Sequence, residues 1–285
     1  MLQPPHPSTA AHAIRQASYR LAGCLLLLAS ISAHGQQADK GLIAVTEPWP
    51  PYNTFSNDDT ADGAHALIVQ RALALSGLQA QTGVYPWARA MALAQSRPNT
   101  LLFSLARTPE RESKFIWIGK LSQTQQFLWR LETALHGPEP SLQQILRCCS
   151  ICTVRKDVSE EALRQQDSEH SMQLVLTGSH NDCLRMLRSG SVAYMAGSPY
   201  RVQATLQQSS LPASFLHKTT AIAPVRTLFL AASHGTPSVT VSKLQQAMQQ
   251  LQQSGEHERI LQQALSRPLP GPGDKAAANP IPSKP

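Results

Sequence analysis

The sequence predicts an α/β fold with largely parallel sheets. Three observations carry that expectation. Short apolar runs alternate with helix-forming stretches along most of the chain, and a second such series begins after a turn at His136-Gly137-Pro138. In addition, 42% of the 285 residues are hydrophobic, enough for packed cores. Leu42-Ile43-Ala44-Val45 is the first apolar run, and a proline-rich turn follows it. Ala64 to Leu75 is helical in composition and stops at Gly77. Val84 ends a short strand, and Trp87 to Gln95 is Ala-rich and helical. Leu101-Leu102-Phe103, Phe115-Ile116-Trp117-Ile118 and Phe127-Leu128-Trp129 read as strands. The second series runs helix 142–147, strand 151–154, helix 160–166, strand 173–176, helix 181–187, strand 192–195 and helix 200–207. Leu228-Phe229-Leu230-Ala231 is one more strand. A long helix follows, with Thr236 as N-cap, Pro237 in its first turn, and Val241, Leu244, Met248 and Leu251 on one face.

The two ends read differently from the middle. Residues 1–20 carry Arg15 and Arg20 and no acid. Leu21 to Ile31 is a short apolar run, and Ser32-Ala33-His34-Gly35 offers the small residues a signal peptidase reads. This is the pattern of a cleaved secretory signal, residues 1–35. The run is shorter than the roughly 20 residues a spanning helix needs. Leu21-Ala22-Gly23-Cys24 spells a lipoprotein box, but its leucine run follows the cysteine instead of preceding it. At the other end, residues 268–285 are proline-rich with few apolar side chains and read as a disordered tail. The formal charge is +7, from 25 Lys+Arg and 18 Asp+Glu, without a run of five basic residues. That argues against nucleic acid as a partner and suits a soluble monomer that tolerates anionic ligands.

Three motifs converge on one family. Thr46-Glu47-Pro48-Trp49-Pro50-Pro51-Tyr52 follows the first strand, and Tyr85-Pro86-Trp87-Ala88-Arg89-Ala90 opens a helix. Ser104-Leu105-Ala106-Arg107-Thr108-Pro109-Glu110-Arg111-Glu112 leads into Phe115-Ile116-Trp117. In this order, after an export signal, they resemble the extracellular solute-binding proteins of family 3, which include the periplasmic amino-acid receptors of ABC importers. The likeness spans roughly residues 41–267 and is more specific in the first half. It implies an α/β, two-lobed periplasmic binding protein of type II with a hinge of two crossing strands. The lobes would comprise residues 36–126 plus 220–267, and 127–219. The implied function is capture of a small carboxylate-bearing solute for an ABC permease or a membrane sensor, with no cofactor, no metal and no catalysis.

The resemblance also implies a set of binding residues. A cleft for a small solute needs a flat apolar wall and a few convergent polar groups. Trp49 and Tyr52 stand on a turn that Pro48, Pro50 and Pro51 stiffen; the alternative is an aromatic core plug. Trp87 and Arg89 would line the opposite wall. Arg111 is the sharpest candidate, because a guanidinium forks onto a carboxylate with two charge-assisted hydrogen bonds. Ser104 would face the same group; the alternative for Arg111 is a surface pair with Glu110 or Glu112. Arg155 keeps a basic residue in the second lobe, although its turn, Val154-Arg155-Lys156-Asp157-Val158-Ser159, is bulkier and more charged than the family's.

Departures from the family leave other readings open. The stretch Gly190 to Ser198 lacks the acid that amino-acid receptors use for the α-ammonium, which speaks against a standard α-amino acid and leaves an organic acid, a modified amino acid or a peptide fragment open. An orphan interaction module is one alternative, signalled by a cleft filled with its own side chains. A dehydratase-like enzyme is another; it would need a cleft acid with a raised pKa, and Glu47 is the acid in place. Cys148, Cys149, Cys152 and Cys183 are an even set in an oxidising compartment, which favours disulfides. A Cys148–Cys149 bond would be strained, so Cys183 is expected to pair with Cys149 or Cys152. The rivals are free thiols and a zinc site from Cys149, Cys152, His180 and Cys183.

Overall fold

The computed structural model describes residues 41–55, 61–134 and 138–267. The expected export signal and proline-rich tail lie outside the described residues. In chain order the first part holds β1 (Ile43–Thr46), β2 (Thr54–Phe55), β3 (Ala61–Asp62), α1 (Ala64–Leu75) and β4 (Gln81–Val84). It continues with α2 (Trp87–Ser96), β5 (Thr100–Ala106), α3 (Pro109–Glu112) and β6 (Ile116–Thr124). The second part holds β7 (Phe127–Leu131), α4 (Leu142–Cys148), β8 (Ser150–Val154), α5 (Val158–Gln166) and β9 (Gln173–Thr177). After these come α6 (His180–Arg188), β10 (Tyr194–Gly197), α7 (Pro199–Gln208) and β11 (Leu216–Ala221). The chain then returns through β12 (Arg226–Ala232), α8 (Ser238–Gln253) and α9 (Glu256–Leu265).

Two five-stranded sheets form two lobes. The first has the order β4-β1-β5-β12-β6 and the second β11-β7-β10-β8-β9. The chain passes between them through Gln125-Gln126 and again through residues 222–225. The expectation of largely parallel sheets needs correction. β1 is parallel to β4 and β5, and β8 to β9 and β10, but β12 runs antiparallel to β5 and β6, and β7 to β10 and β11. A helical crossover returns a strand in the same direction. β7 and β12 each follow a lobe crossing with no helix before them, so they enter their sheets reversed, while β11 returns from β10 through α7 in the same direction.

Each sheet is covered on both faces. In the first lobe α1 and α8 bury Ile68, Val69, Leu244, Met248 and Leu251 on one face, and α2 packs Trp87, Ala90, Met91 and Ala94 on the other. The spacing expected for α8 holds, but its start does not: the helix opens at Ser238 with Pro237 in the cap position. The Thr236 hydroxyl is instead paired with Ser233 Oγ at 3.1 Å inside the preceding turn. α8 ends at a left-handed Gly255, and α9 is a separate helix that the Gln-rich sequence did not signal. A side chain at Gly119 would meet Met248 Cβ at 2.7 Å, so α8 lies directly on β6. In the second lobe α4 and α5 pack Ile145, Leu146, Ala162 and Leu163 on one face, while α6 and α7 pack Leu184, Leu187, Val202 and Leu206 on the other. Full burial of each such aliphatic side chain stabilises by about 1.5–3 kcal/mol.

Candidate functional site

The first lobe contributes three segments to the interlobe cleft. The loop after β1 carries Glu47 and Trp49 and is folded back on itself, with the Trp49 and Asn53 backbones paired at 2.8 and 2.9 Å. Asn53 fixes this loop from inside: its amide donates to Thr46 Oγ1 and to Ser104 Oγ, each at 2.9 Å. Gly63 closes the loop against α1 at a positive φ, where a Cβ would lie 2.7 Å from the Tyr52 carbonyl. The second segment is the start of α2 with Trp87. The third is the end of β5 with α3, where Ser104 sits at φ 63, a left-handed kink of the order of 1–3 kcal/mol. The bonds of Ser104 to Asn53 and to His65 Nδ1 (2.8 Å) hold it there.

Helix N-termini dominate the second lobe's face. Asp157 caps α5 by accepting from the Ser159 amide at 2.9 Å. Ser179 caps α6, which starts with His180, and Ser198 with Pro199 opens α7, which carries Arg201 in its first turn. These caps aim Asp157, His180 and Arg201 at the first lobe.

Contacts between the two faces are direct. Arg111 is 2% exposed, and its Nε and Nη2 donate to Glu161 Oε1 at 2.7 and 2.6 Å. Thr108 Oγ1 donates to the other oxygen, Glu161 Oε2, at 3.0 Å. The Lys156 carbonyl accepts from Arg111 Nη2 (3.0 Å) and from the Trp87 indole (2.7 Å). On the other side of the cleft, Arg201 Nη2 meets Glu47 Oε1 at 2.7 Å, its Nη1 donates to the Pro48 carbonyl, and its guanidinium lies 4.5 Å over the Trp49 ring. The cavity left among Glu47, Trp49, Arg111, Asp157, His180 and Arg201 is about 20 Å³, room for about one water. Outside it, a wider pocket of about 230 Å³ opens between the prolines of the Glu47 loop, Trp87 and the start of α6.

Burial sets the electrostatics. Desolvation pushes the Glu47 carboxyl up to about 7, against the pull of Arg201, with Asp157 adding to the rise. Burial likewise lowers the Arg201 guanidinium, although Glu47 and Asp157 act the other way. His180 is pushed well below its usual value by burial and by Arg201, so it stands neutral, 3.9 Å from Asp157. His65 is pushed down to about 3 by burial, with a smaller effect of His257.

Of the residues expected from sequence, Trp49, Trp87, Ser104 and Arg111 come together around the inner cavity. Ser104 spends its hydroxyl on Asn53 and His65. The other three need correction. Tyr52 does not line the inner cavity: it is stacked on His65 at 4.2 Å and meets Tyr200 of the second lobe edge-on at 5.6 Å. Arg89 is exposed and lies over the Tyr85 ring at 4.9 Å; two residues beyond Trp87 on a helix it faces away from the cleft. Arg155 is exposed because it follows the inward-facing Val154 at the end of β8. Sequence reasoning missed Glu161 and Arg201. Both lie in first helical turns, where an acid such as Glu161 reads as serving the helix dipole and no local pattern singles out Arg201.

The cysteines form two bonds, Cys152–Cys183 and Cys148–Cys149. The first is one of the two expected partners for Cys183 and ties β8 to α6. The second corrects the expectation that these neighbours stay unpaired: α4 ends at Cys148, and the chain turns extended at Cys149, which brings the two side chains together. The zinc set is therefore not assembled. Among the described residues no group of three or more His, Cys, Asp or Glu is placed to hold a metal ion, and no helix is long and apolar enough to cross a membrane.

No family model and no curated protein matches the sequence. Solved structures match the fold over most of the chain. A histidine kinase sensor domain with similarity to periplasmic binding proteins is 14% identical, with a TM-score of 0.69 over 82% of this chain and 98% of the other. The arginine-, lysine-, histidine-binding protein ArtJ from Geobacillus stearothermophilus is 13% identical, with a TM-score of 0.67 over 82% and 97%. The solute receptor for L-cysteine of Neisseria gonorrhoeae is 12% identical, with a TM-score of 0.65 over 80% and 91%. The chain has the two-lobed fold of periplasmic binding proteins.

Proposed function

We propose that this chain is a periplasmic solute-binding protein, exported by a cleaved signal, that captures a small carboxylate-bearing solute between its lobes and serves an ABC importer or a membrane sensor. The observation that carries this reading is the first lobe's carboxylate receptor. Arg111 and Thr108 direct three donors onto one carboxylate from within 3.0 Å, the geometry of charge-assisted recognition. The sensor-domain and amino-acid-binding relatives support the same reading. Glu47 and Asp157 beside the cavity offer an ammonium group the counter-charge that the stretch Gly190–Ser198 lacks, so an amino acid and an organic acid both remain in the class. Glu47 has the pKa a proton-transfer step asks for, yet Arg201 holds its carboxylate, which favours binding over catalysis. One second reading has an observation of its own: a cleft closed to about 20 Å³ by its own side chains is what an orphan interaction module would show.

A thermal-shift screen against amino acids, di- and tricarboxylates, polyamines and short peptides separates the two. A solute at 100 times its Kd adds about 2.7 kcal/mol of stability. The expected hit is a carboxylate whose binding disappears in Arg111→Ala. Unchanged affinity in that variant removes Arg111 from the site, and a flat screen on folded protein favours the orphan module.

A further inference from the structure

The carboxylate seated in the Arg111–Thr108 receptor belongs to the chain itself. Glu161 stands on α5 of the second lobe, yet among the described residues all hydrogen bonds to its carboxylate come from the first lobe. An acid placed to serve its own helix or sheet would bond there, as Glu160 does with the Lys156 amide and Arg164. Exposure is also asymmetric: the Arg111 side chain is 2% exposed and that of Glu161 24%, so a buried receptor holds an occupant that arrives from the rim. A pocket of about 240 Å³ opens beside it, lined by Lys114, Lys156 and Arg164 and by the Glu160 carboxylate, a net-basic route by which a free carboxylate reaches the same donors. Arg201 on Glu47 repeats the arrangement with the charges exchanged, so the second lobe offers the first both a cation and an anion.

We propose that Glu161 is a tethered stand-in for the solute's carboxylate, an internal competitor that fills the receptor when the lobes close and thereby sets which solutes can enter. Its link to solutes rests on the function proposed above; the docking of Glu161 in a carboxylate receptor does not. Minor conformers commonly make up about 0.1–10% of molecules. If 1–10% have Glu161 undocked, the competitor weakens the apparent affinity for a free carboxylate by about 10- to 100-fold, which its removal restores.

Chemical rescue tests this without knowing the solute. Glu161→Ala removes the carboxylate and leaves the receptor intact. Its melting temperature is expected to fall below that of the unaltered protein, and sodium formate to return it toward that value, where sodium chloride at equal ionic strength does not. The unaltered protein and the double variant Arg111→Ala/Glu161→Ala should not respond to formate beyond the salt effect. Formate that does no more than chloride for Glu161→Ala, or that raises all three proteins alike, overturns the proposal. If Glu161→Ala does not fold, the isosteric Glu161→Gln carries the test: X-ray scattering should give it a larger radius of gyration than the unaltered protein, and an equal radius overturns the proposal. A flat solute screen would sink the proposed function while leaving the formate result to stand or fall separately.

Discussion

Arg111–Glu161 and Arg201–Glu47 each bring a guanidinium to a carboxylate across the cleft, at 2.6 and 2.7 Å, but their surroundings differ. Glu161 keeps an edge in solvent and gains a third donor from Thr108. Glu47 is buried with its partner and has Asp157 nearby, so desolvation outweighs the attraction and moves its carboxyl to about 7. The two pairs share a distance and differ in hydration. One is a contact that a free carboxylate can replace; the other is a buried pair that responds to pH. Arg147–Glu169, with both side chains more than half exposed, is a third case in which water screens the attraction almost completely.

The largest effect expected from this comparison is that of Arg201→Ala. It strips a buried pair of one partner and removes the attraction that draws the Glu47 carboxyl down, a situation that costs about 3–5 kcal/mol. Separation of the lobes hydrates the carboxylate, so the variant should show an increased radius of gyration in X-ray scattering. Unchanged radius and unchanged urea stability would mean that Glu47 is already solvated. Glu47→Gln sharpens the contrast through pH. A carboxyl raised from 4.5 to about 7 contributes stability that is fully present below pH 4.5 and lost as the pH rises through 7. The lowered pKa values of His65 and His180 act in the opposite sense: their contribution is present above pH 6.5 and lost on acidification. Between pH 4.5 and 6.5 Glu47 therefore offsets part of the histidine effect. Without it, urea stability should fall more steeply on acidification by about 1.4 kcal/mol per pH unit; parallel profiles would contradict a raised Glu47. The smallest effect is expected for Arg147→Ala, whose loss of an exposed pair should change urea stability by less than about 1 kcal/mol.

The sequence showed the elements more clearly than their directions. Apolar runs lie in the local chain, and so do most of the strands and helices they mark, whereas the one cap read from the sequence, Thr236, gave way to Pro237. The reversed entry of β7 and β12 depends on where the chain changes lobe, which no local pattern encodes. The first-lobe motifs led to Trp49, Trp87, Ser104 and Arg111, because a turn or a helix start fixes which way they face. Arg89 and Arg155 belong to the same motifs but point away, a matter of helical and strand period that a motif read as a string does not contain. Glu161 and Arg201 were hidden for another reason. Their partners lie 50 and 154 residues away, and an acid in a first helical turn already suits the helix dipole, so nothing local singles either residue out.

The chain contains four tryptophans, and the lobes divide them in a useful way. Trp117 donates to the Glu112 carbonyl within the first lobe and Trp129 to the Gly197 carbonyl within the second, so lobe separation leaves both bonds in place. Trp49 and Trp87 line the cleft, and the Trp87 indole ends on a carbonyl of the opposite lobe. Opening exchanges that bond for water and uncovers the face of Trp49 on which Arg201 lies. The protein thus carries its own optical gauge: two indoles whose emission shifts to the red as the clamp opens, read against two that stay constant.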